Sequence, residues 1–198
     1  MIRILVASLT LLVAAMPAQA QKLSLNEISN YLNTITSAES GFTQINADGT
    51  ISTGTIYIKR PGKVRFDYNP PEKALVLASA GAVYILDRKL GGQPETYPLS
   101  RTPLSIILAR NVNLAKTGMV TGHGYDGTAT VVTARDPEHP EYGSIQLKFT
   151  GQPVQLRQWV IDDGNGSQTT VVIGGLAKKS LPNKLFAIEP EVKKLNRN

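Results

Sequence analysis

The most reactive side chains in this sequence belong to two histidines and a pair of adjacent aspartates. His123 and His139 lie in segments rich in glycine or proline, and neither has a second histidine at the i+4 spacing that places two metal ligands on one helix face. The pair Asp162-Asp163 directly precedes a Gly-Asn-Gly turn, where solvated aspartate is common. These patterns predict neither a zinc site nor a pair of catalytic carboxylates.

A glycine-rich segment has the spacing of a dinucleotide-binding fingerprint. Gly122, Gly124 and Gly127 fit G-x-G-x-x-G, but residues 128–132 that follow favour a strand, whereas a pyrophosphate requires the N-terminus of a helix there. We therefore interpret the segment as a hairpin turn. The sequence also has no cysteine, no G-x-S-x-G motif and no Walker A loop. We expect a protein without cofactor or bound metal that is not an enzyme.

The N-terminal residues 1–20 have the pattern of a secretory signal peptide. Arg3 precedes an apolar stretch from Ile4 to Met16, and Ala18 and Ala20 give the A-x-A cleavage pattern. The stretch is shorter than the roughly 20 residues that a membrane span requires. We predict export, with residues 21–198 forming one domain. The net charge of +6 favours an anionic surface or an acidic partner, and export argues against nucleic acid.

One amphipathic helix is predicted after the signal peptide. Ser24 and Glu27 have the S-x-x-E spacing of a capping box. Apolar residues then follow at helical intervals, and we expect the helix to end near Thr36.

The rest of the chain is predicted to be mainly β. Turn pairs such as Asp48-Gly49 and Asn165-Gly166 separate β-rich segments, and segments such as 63–68 and 144–149 alternate polar with apolar residues. The strands are therefore expected to be antiparallel and exposed on one face. Their spacing predicts about ten strands in a meandering sheet that curls on itself.

A short apolar helix is predicted between the strands. Thr102 is a candidate N-cap, Pro103 suits the first helical position, and large apolar residues follow up to Arg110. An apolar helix in a β protein must cover a sheet face or a barrel mouth, so we interpret it as a plug or lid.

Four segments of the chain resemble the LolA family. Residues 54–68, with Lys59-Arg60-Pro61 between two aromatic strands, resemble the early hairpin of that family. Residues 74–87, 102–111 and 155–159 are similar to its apolar strand, its lid helix and its late core strand. The departures are Tyr57, Val64 and the Ser79-Ala80-Gly81 turn, which bear on cargo preference.

The resemblance implies an incomplete, strongly curved antiparallel barrel with an N-terminal helix and a short lid helix over an apolar cavity. It further implies a monomeric periplasmic chaperone that carries acylated lipoproteins. Cargo would come from an inner-membrane ABC-type release complex and go to an outer-membrane receptor or to the outer membrane itself. The alternatives are a carrier or sensor of another lipid or glycolipid, a signalling module that senses mislocalised lipoprotein, and an enzyme acting on lipids.

The resemblance also assigns roles to particular residues. Arg60 would be a latch whose guanidinium donates to backbone carbonyls of the lid helices in the empty form, the alternative being a solvated hairpin arginine. The lid would consist of Pro103, Leu104, Ile106, Ile107 and Leu108. The candidates for the cavity lining are Tyr57, Val64, Phe66, Leu75, Leu77, Val83, Ile85 and Trp159, although alternation alone does not say which face of each strand is concave.

Overall fold

The computed structural model describes residues 21–89, 91–116 and 118–195, so the signal peptide predicted for residues 1–20 lies outside the described residues. The described chain has three α-helices: α1 (Leu25–Thr34), α2 (Leu104–Leu108) and α3 (Glu189–Leu195). It also has short 3-10 helices at Leu99–Arg101, Pro140–Tyr142 and Asn183–Phe186. The strands are β1 (Ser37–Ile45), β2 (Ile51–Lys59), β3 (Lys63–Tyr68), β4 (Ala74–Ser79), β5 (Ala82–Asp87), β6 (Glu95–Pro98), β7 (Val120–Tyr125), β8 (Thr130–Arg135), β9 (Ser144–Thr150), β10 (Gln155–Asp162), β11 (Gln168–Ile173) and β12 (Ala177–Lys178).

All strands belong to one antiparallel sheet made of two meanders. Its order is β6-β5-β4-β3-β2-β1-β11-β10-β9-β8-β7, with β12 paired to β1. The two meanders meet where β1 pairs with β11, with Phe42 opposite Ile173. The connection between the far edges, β6 and β7, contains α2. The predicted mainly β, antiparallel fold is therefore confirmed.

The structure has twelve strands where the sequence predicts about ten. The difference includes β6 and β12, of four and two residues. Neither carries a usable pattern, because the residues of both strands are all exposed and show no alternation. Gly122 and Gly124 lie in β7, and only Gly127, with φ of +97°, forms the turn to β8. The interpretation of the whole glycine-rich segment as a turn was therefore wrong for its first two glycines.

The two predicted helices are present, with one difference at a cap. At α1, the Glu27 backbone N–H donates to Ser24 Oγ (3.2 Å) and the Ser24 N–H donates to Glu27 Oε2 (2.8 Å), which is the predicted capping box. Pro103, predicted at the first helical position, lies one residue before α2, although its torsion angles are helical. Thr102 does not cap α2, because its hydroxyl donates to the Leu99 carbonyl instead (2.9 Å).

The two faces of the sheet are covered by different elements. The inner face is the one on which α1 and α2 lie. There they pack against Phe42, Ile56 and other apolar side chains in the larger buried cluster. On the outer face, the C-terminal segment packs against β4 and β5 in a second cluster. Leu75 and Leu77 face this outer cluster, whereas Val76 between them packs against the inner one.

Two distant strands of the sheet meet through their inner-face side chains. Phe66 on β3 and Trp159 on β10 are four places apart in the strand order, about 19 Å in a flat sheet at roughly 4.8 Å per strand. Their ring centroids are nevertheless 6.2 Å apart, with the rings almost perpendicular. This contact supports the predicted curvature of the sheet, while the incomplete-barrel shape stays a prediction.

The C-terminal segment is held on the outer face by buried charges. Arg65 is 7% exposed and forms two hydrogen bonds with Asp67 (2.7 and 2.8 Å). It also donates to Glu191 on α3 (3.3 Å), and Arg88 donates to the other oxygen of that carboxylate (2.9 Å). Residues 193–195 are the last residues of α3, and residues 196–198 lie outside the described residues.

We predict that Glu191→Gln lowers the free energy of unfolding by about 1–3 kcal/mol, because Arg65 and Arg88 lose a buried charged acceptor. Glu189→Gln, the same substitution at an exposed position of α3, is the matched control and should have little effect. Chemical denaturation of both variants measures the difference. Equal stability of the two variants would contradict a role for Glu191 in anchoring α3.

The effect of Glu191→Gln on stability should depend on pH. Burial alone would raise the pKa of Glu191, but the hydrogen bond from Lys194 and the charge of Arg65 hold it below its usual value. A lowered folded-state pKa contributes stability that is complete above the unfolded value near 4.5 and is lost as the pH falls through the folded value. The stability difference between wild type and Glu191→Gln should therefore narrow in denaturation experiments between pH 7 and about pH 3.

Candidate functional site

A cavity of about 560 Å³ opens on the inner face of the sheet. Its volume falls in the range of roughly 300–1,000 Å³ that is usual for sites binding small molecules. Side chains of β3 to β6 form one wall, side chains of β10 and β11 form another, and the segment that begins α2 also lines it. The apolar and aromatic lining residues are Phe66, Tyr68, Val76, Val83, Ile85, Tyr97, Pro103, Leu104, Tyr142, Trp159, Ile161 and Val171.

The structure brings together four of the eight predicted lining residues: Phe66, Val83, Ile85 and Trp159. Val64 is buried in the inner cluster but does not line the cavity.

The other three candidates, Tyr57, Leu75 and Leu77, pack in the outer cluster. Their assignment to the cavity was wrong because residues 56–58 on β2 and 74–78 on β4 are apolar or aromatic without interruption, so alternation does not distinguish the faces of either strand.

The strand register identifies lining residues that the sequence analysis missed. Val76 is opposite Phe66 on β3 and opposite Ile85 on β5, so the three side chains project from the same face. On β10, Ile161 lies two residues beyond Trp159 and faces the same way. Predicting the register of β3, β4 and β5 from the sequence would have identified Val76 as a lining residue.

The polar groups of the cavity wall are mostly paired with one another. The Tyr68 hydroxyl donates to Gln44 Oε1 (2.7 Å), and burial raises the pKa of Tyr68 to about 12. Tyr97 donates to Glu95 (2.9 Å), and Asp163 accepts the backbone N–H groups of its own turn. These polar groups form hydrogen bonds within the protein. The rest of the cavity lining is chiefly apolar.

The predicted lid residues cover the cavity side of the sheet. Pro103 and Leu104 line the cavity itself. Ile106, Ile107 and Leu108 are buried in the inner cluster. The helix therefore presents its first turn to the cavity and uses the remainder to pack on the sheet.

Arg60 lies where the ends of α1 and α2 approach the turn between β2 and β3. Its guanidinium donates to the Ala109 carbonyl through Nη2 (2.6 Å) and Nε (3.2 Å), and to the Leu32 carbonyl through Nη1. Nη2 also donates to Asn33 Oδ1 (3.2 Å). Burial lowers the pKa of Arg60, although an arginine stays charged at physiological pH. In the described part of the chain, this guanidinium forms no ion pair with a carboxylate.

Asn33, which the sequence analysis did not single out, joins α1 to the segment after α2. Its amide donates to the Val112 carbonyl and accepts the Val112 N–H, both at 2.9 Å. The Leu114 N–H donates to Ser29 Oγ on the same helix (2.9 Å). The Gly62 N–H donates to the Leu108 carbonyl (2.9 Å), so the β2–β3 turn also holds the end of α2 directly.

The two histidines have structural partners in the described chain. His123 Nε2 lies 2.8 Å from the Leu23 carbonyl, just before α1. His139 stacks on Tyr142 and is 3.1 Å from a carboxylate oxygen of Glu141. In residues 21–89, 91–116 and 118–195, no three histidine, cysteine, aspartate or glutamate side chains are grouped as metal ligands would be. No helix in the same residues is both long and apolar enough to cross a membrane.

The curated relatives that this chain resembles are named outer-membrane lipoprotein carrier proteins. An outer-membrane lipoprotein carrier protein of Methylococcus capsulatus is 30% identical over 84 residues, 40% of this chain and 40% of that protein. Another, of Azotobacter vinelandii, is 21% identical over 171 residues, 82% of each chain. A solved LolA superfamily protein of Nitrosomonas europaea overlaps with a TM-score of 0.43 at 10% identity, covering 83% of this chain and 98% of that one.

The family model described as outer membrane lipoprotein carrier protein LolA matches residues 33–189, a span that contains Arg60, α2 and the whole cavity. Since this match spans most of the sequence, the chain belongs to the LolA family.

Proposed function

We propose that this protein is a periplasmic carrier that binds the acyl chains of lipoproteins released from the inner membrane and takes them to the outer membrane. The observation that supports this most is an apolar cavity covered by a short helix, whose end is tied to the sheet by the charged hydrogen bonds of Arg60. Its relatives are named outer-membrane lipoprotein carrier proteins. The donor of cargo would be an ABC-type release complex, and the acceptor an outer-membrane receptor or the outer membrane itself.

Burial of hydrocarbon gives the carrier its affinity. Each CH₂ group removed from water contributes about 0.8 kcal/mol, so one 16-carbon chain contributes on the order of 10 kcal/mol. The Phe66, Val76 and Ile161 side chains in the cavity wall offer that chain an apolar environment. Affinity on this scale would prevent delivery unless part of it were offset by a change in the protein.

Closure of the empty form supplies the offset. Each hydrogen bond from a charged donor contributes about 1.5–3 kcal/mol, and Arg60 makes such bonds to the ends of α1 and α2. Cargo that displaces α2 must break these bonds, which weakens its net binding, and the bonds re-form when cargo leaves. Arginine suits this role better than lysine because its planar fork reaches several carbonyls at once.

We expect Ile161→Glu to weaken the binding of acyl chains at least tenfold, because it places a charge in the cavity wall. Val160→Glu is the matched control, since Val160 directly precedes Ile161 on β10 and faces the opposite side of the sheet. Titration of each variant with a fluorescent fatty acid measures the affinity. Equal weakening by both substitutions would argue against binding in this cavity.

Arg60→Leu should fold and still take up acylated cargo, but deliver it to acceptor membranes at least tenfold more slowly, because the closed empty form loses its hydrogen bonds. The matched control is Arg157→Leu, which removes an exposed arginine whose contact is to Thr150 on the neighbouring strand (3.1 Å). The measurement is the rate at which preloaded carrier transfers lipoprotein to outer-membrane vesicles. Normal transfer by Arg60→Leu would rule out the latch.

A further inference from the structure

The wall of the cavity contains one buried donor that has no partner in the described protein. Trp159 lies on β10, is 1% exposed and lines the cavity. Its indole Nε1 has no hydrogen-bond partner among the described residues. A buried N–H without an acceptor costs free energy, so such groups call for a physical explanation.

The other polar groups nearby differ from this donor. Tyr68 and Gln44 bind each other, Tyr97 binds Glu95, and Thr102 binds the Leu99 carbonyl. The Phe66 ring is nearly perpendicular to the indole, with the ring centroids 6.2 Å apart, and it offers at most a weak aromatic acceptor. Arg101 also lines the cavity but is exposed, so among the described lining residues the Trp159 indole N–H is the one buried donor without a partner.

We propose that the Trp159 indole N–H donates a hydrogen bond to a carbonyl oxygen of the bound lipid, so that the cavity selects chains carrying an ester or amide carbonyl over plain hydrocarbon chains. The inference rests on the proposed function, because it assumes that an acyl chain occupies this cavity. The carbonyl that joins a fatty acyl chain to its headgroup supplies the acceptor that Trp159 lacks. The bond adds selectivity to a site whose hydrophobic contacts depend only on apolar area.

Two lipids that differ only at the carbonyl test this directly. One is 1-palmitoyl-lysophosphatidylcholine, and the other is its 1-O-hexadecyl ether analogue, in which a methylene replaces the carbonyl. Calorimetric titration of wild-type protein should show at least fivefold tighter binding of the ester. In Trp159→Phe, which keeps an aromatic ring but has no N–H, the ratio of the two affinities should fall to about one. An unchanged ratio in Trp159→Phe would overturn the proposal.

A second measurement needs no variant. Trp159 is the one tryptophan of the sequence, so ¹⁵N-labelled protein gives a single indole N–H resonance. Binding of the ester lipid should shift the resonance of the indole N–H proton downfield, and binding of the ether lipid should not. If both lipids bind and neither moves it downfield, the carbonyl contact is absent while the acyl cavity stands. If neither lipid binds, the proposed function fails together with the inference.

Discussion

The last backbone carbonyls of α1 and α2 have no hydrogen-bond donors within their own helices. The guanidinium of Arg60 donates to carbonyls at both helix ends. Helix ends leave backbone carbonyls unpaired and carry partial negative charge, so they attract a cation. Arg60 donates to Leu32 near the end of α1 and to Ala109 just after α2. This contact helps to hold α2 over the cavity, together with the buried apolar side chains of α2 and the hydrogen bond from the Gly62 N–H, because a helix of five residues cannot be stable alone.

A second arginine, five positions along the chain, has the opposite surroundings. Arg65 binds the carboxylates of Asp67 and Glu191, and it fixes the C-terminal segment to the outer face. Removing a carboxylate from such a buried group is strongly unfavourable, so we expect this side of the molecule to stay closed. The partners of Arg60 are neutral oxygens, which water can replace at lower cost. Under the proposed function, the inner face would open while the outer face stays packed.

Features of this structure that arise from local sequence patterns could be predicted, whereas features that depend on contacts between distant residues could not. The capping box at Ser24, the hairpin turns and the short apolar helix after Pro103 are local patterns, and they predicted their elements correctly. The faces of β4 were not predictable, because an uninterrupted apolar strand does not reveal which of its residues meets the cavity. The orphan donor of Trp159 and the contacts of Asn33 depend on residues far away in the chain, so only the three-dimensional structure reveals them.

The most direct test of the carrier function is acyl-dependent release of a lipoprotein into solution. Protein comprising residues 21–198 would be incubated with inner-membrane vesicles that hold a triacylated lipoprotein and its release complex. We predict a water-soluble 1:1 complex of carrier and lipoprotein, and no complex with the same lipoprotein lacking its acyl chains. Equal complex formation without acyl chains, or no complex while mass spectrometry finds another lipid bound to the carrier, would contradict the proposed function.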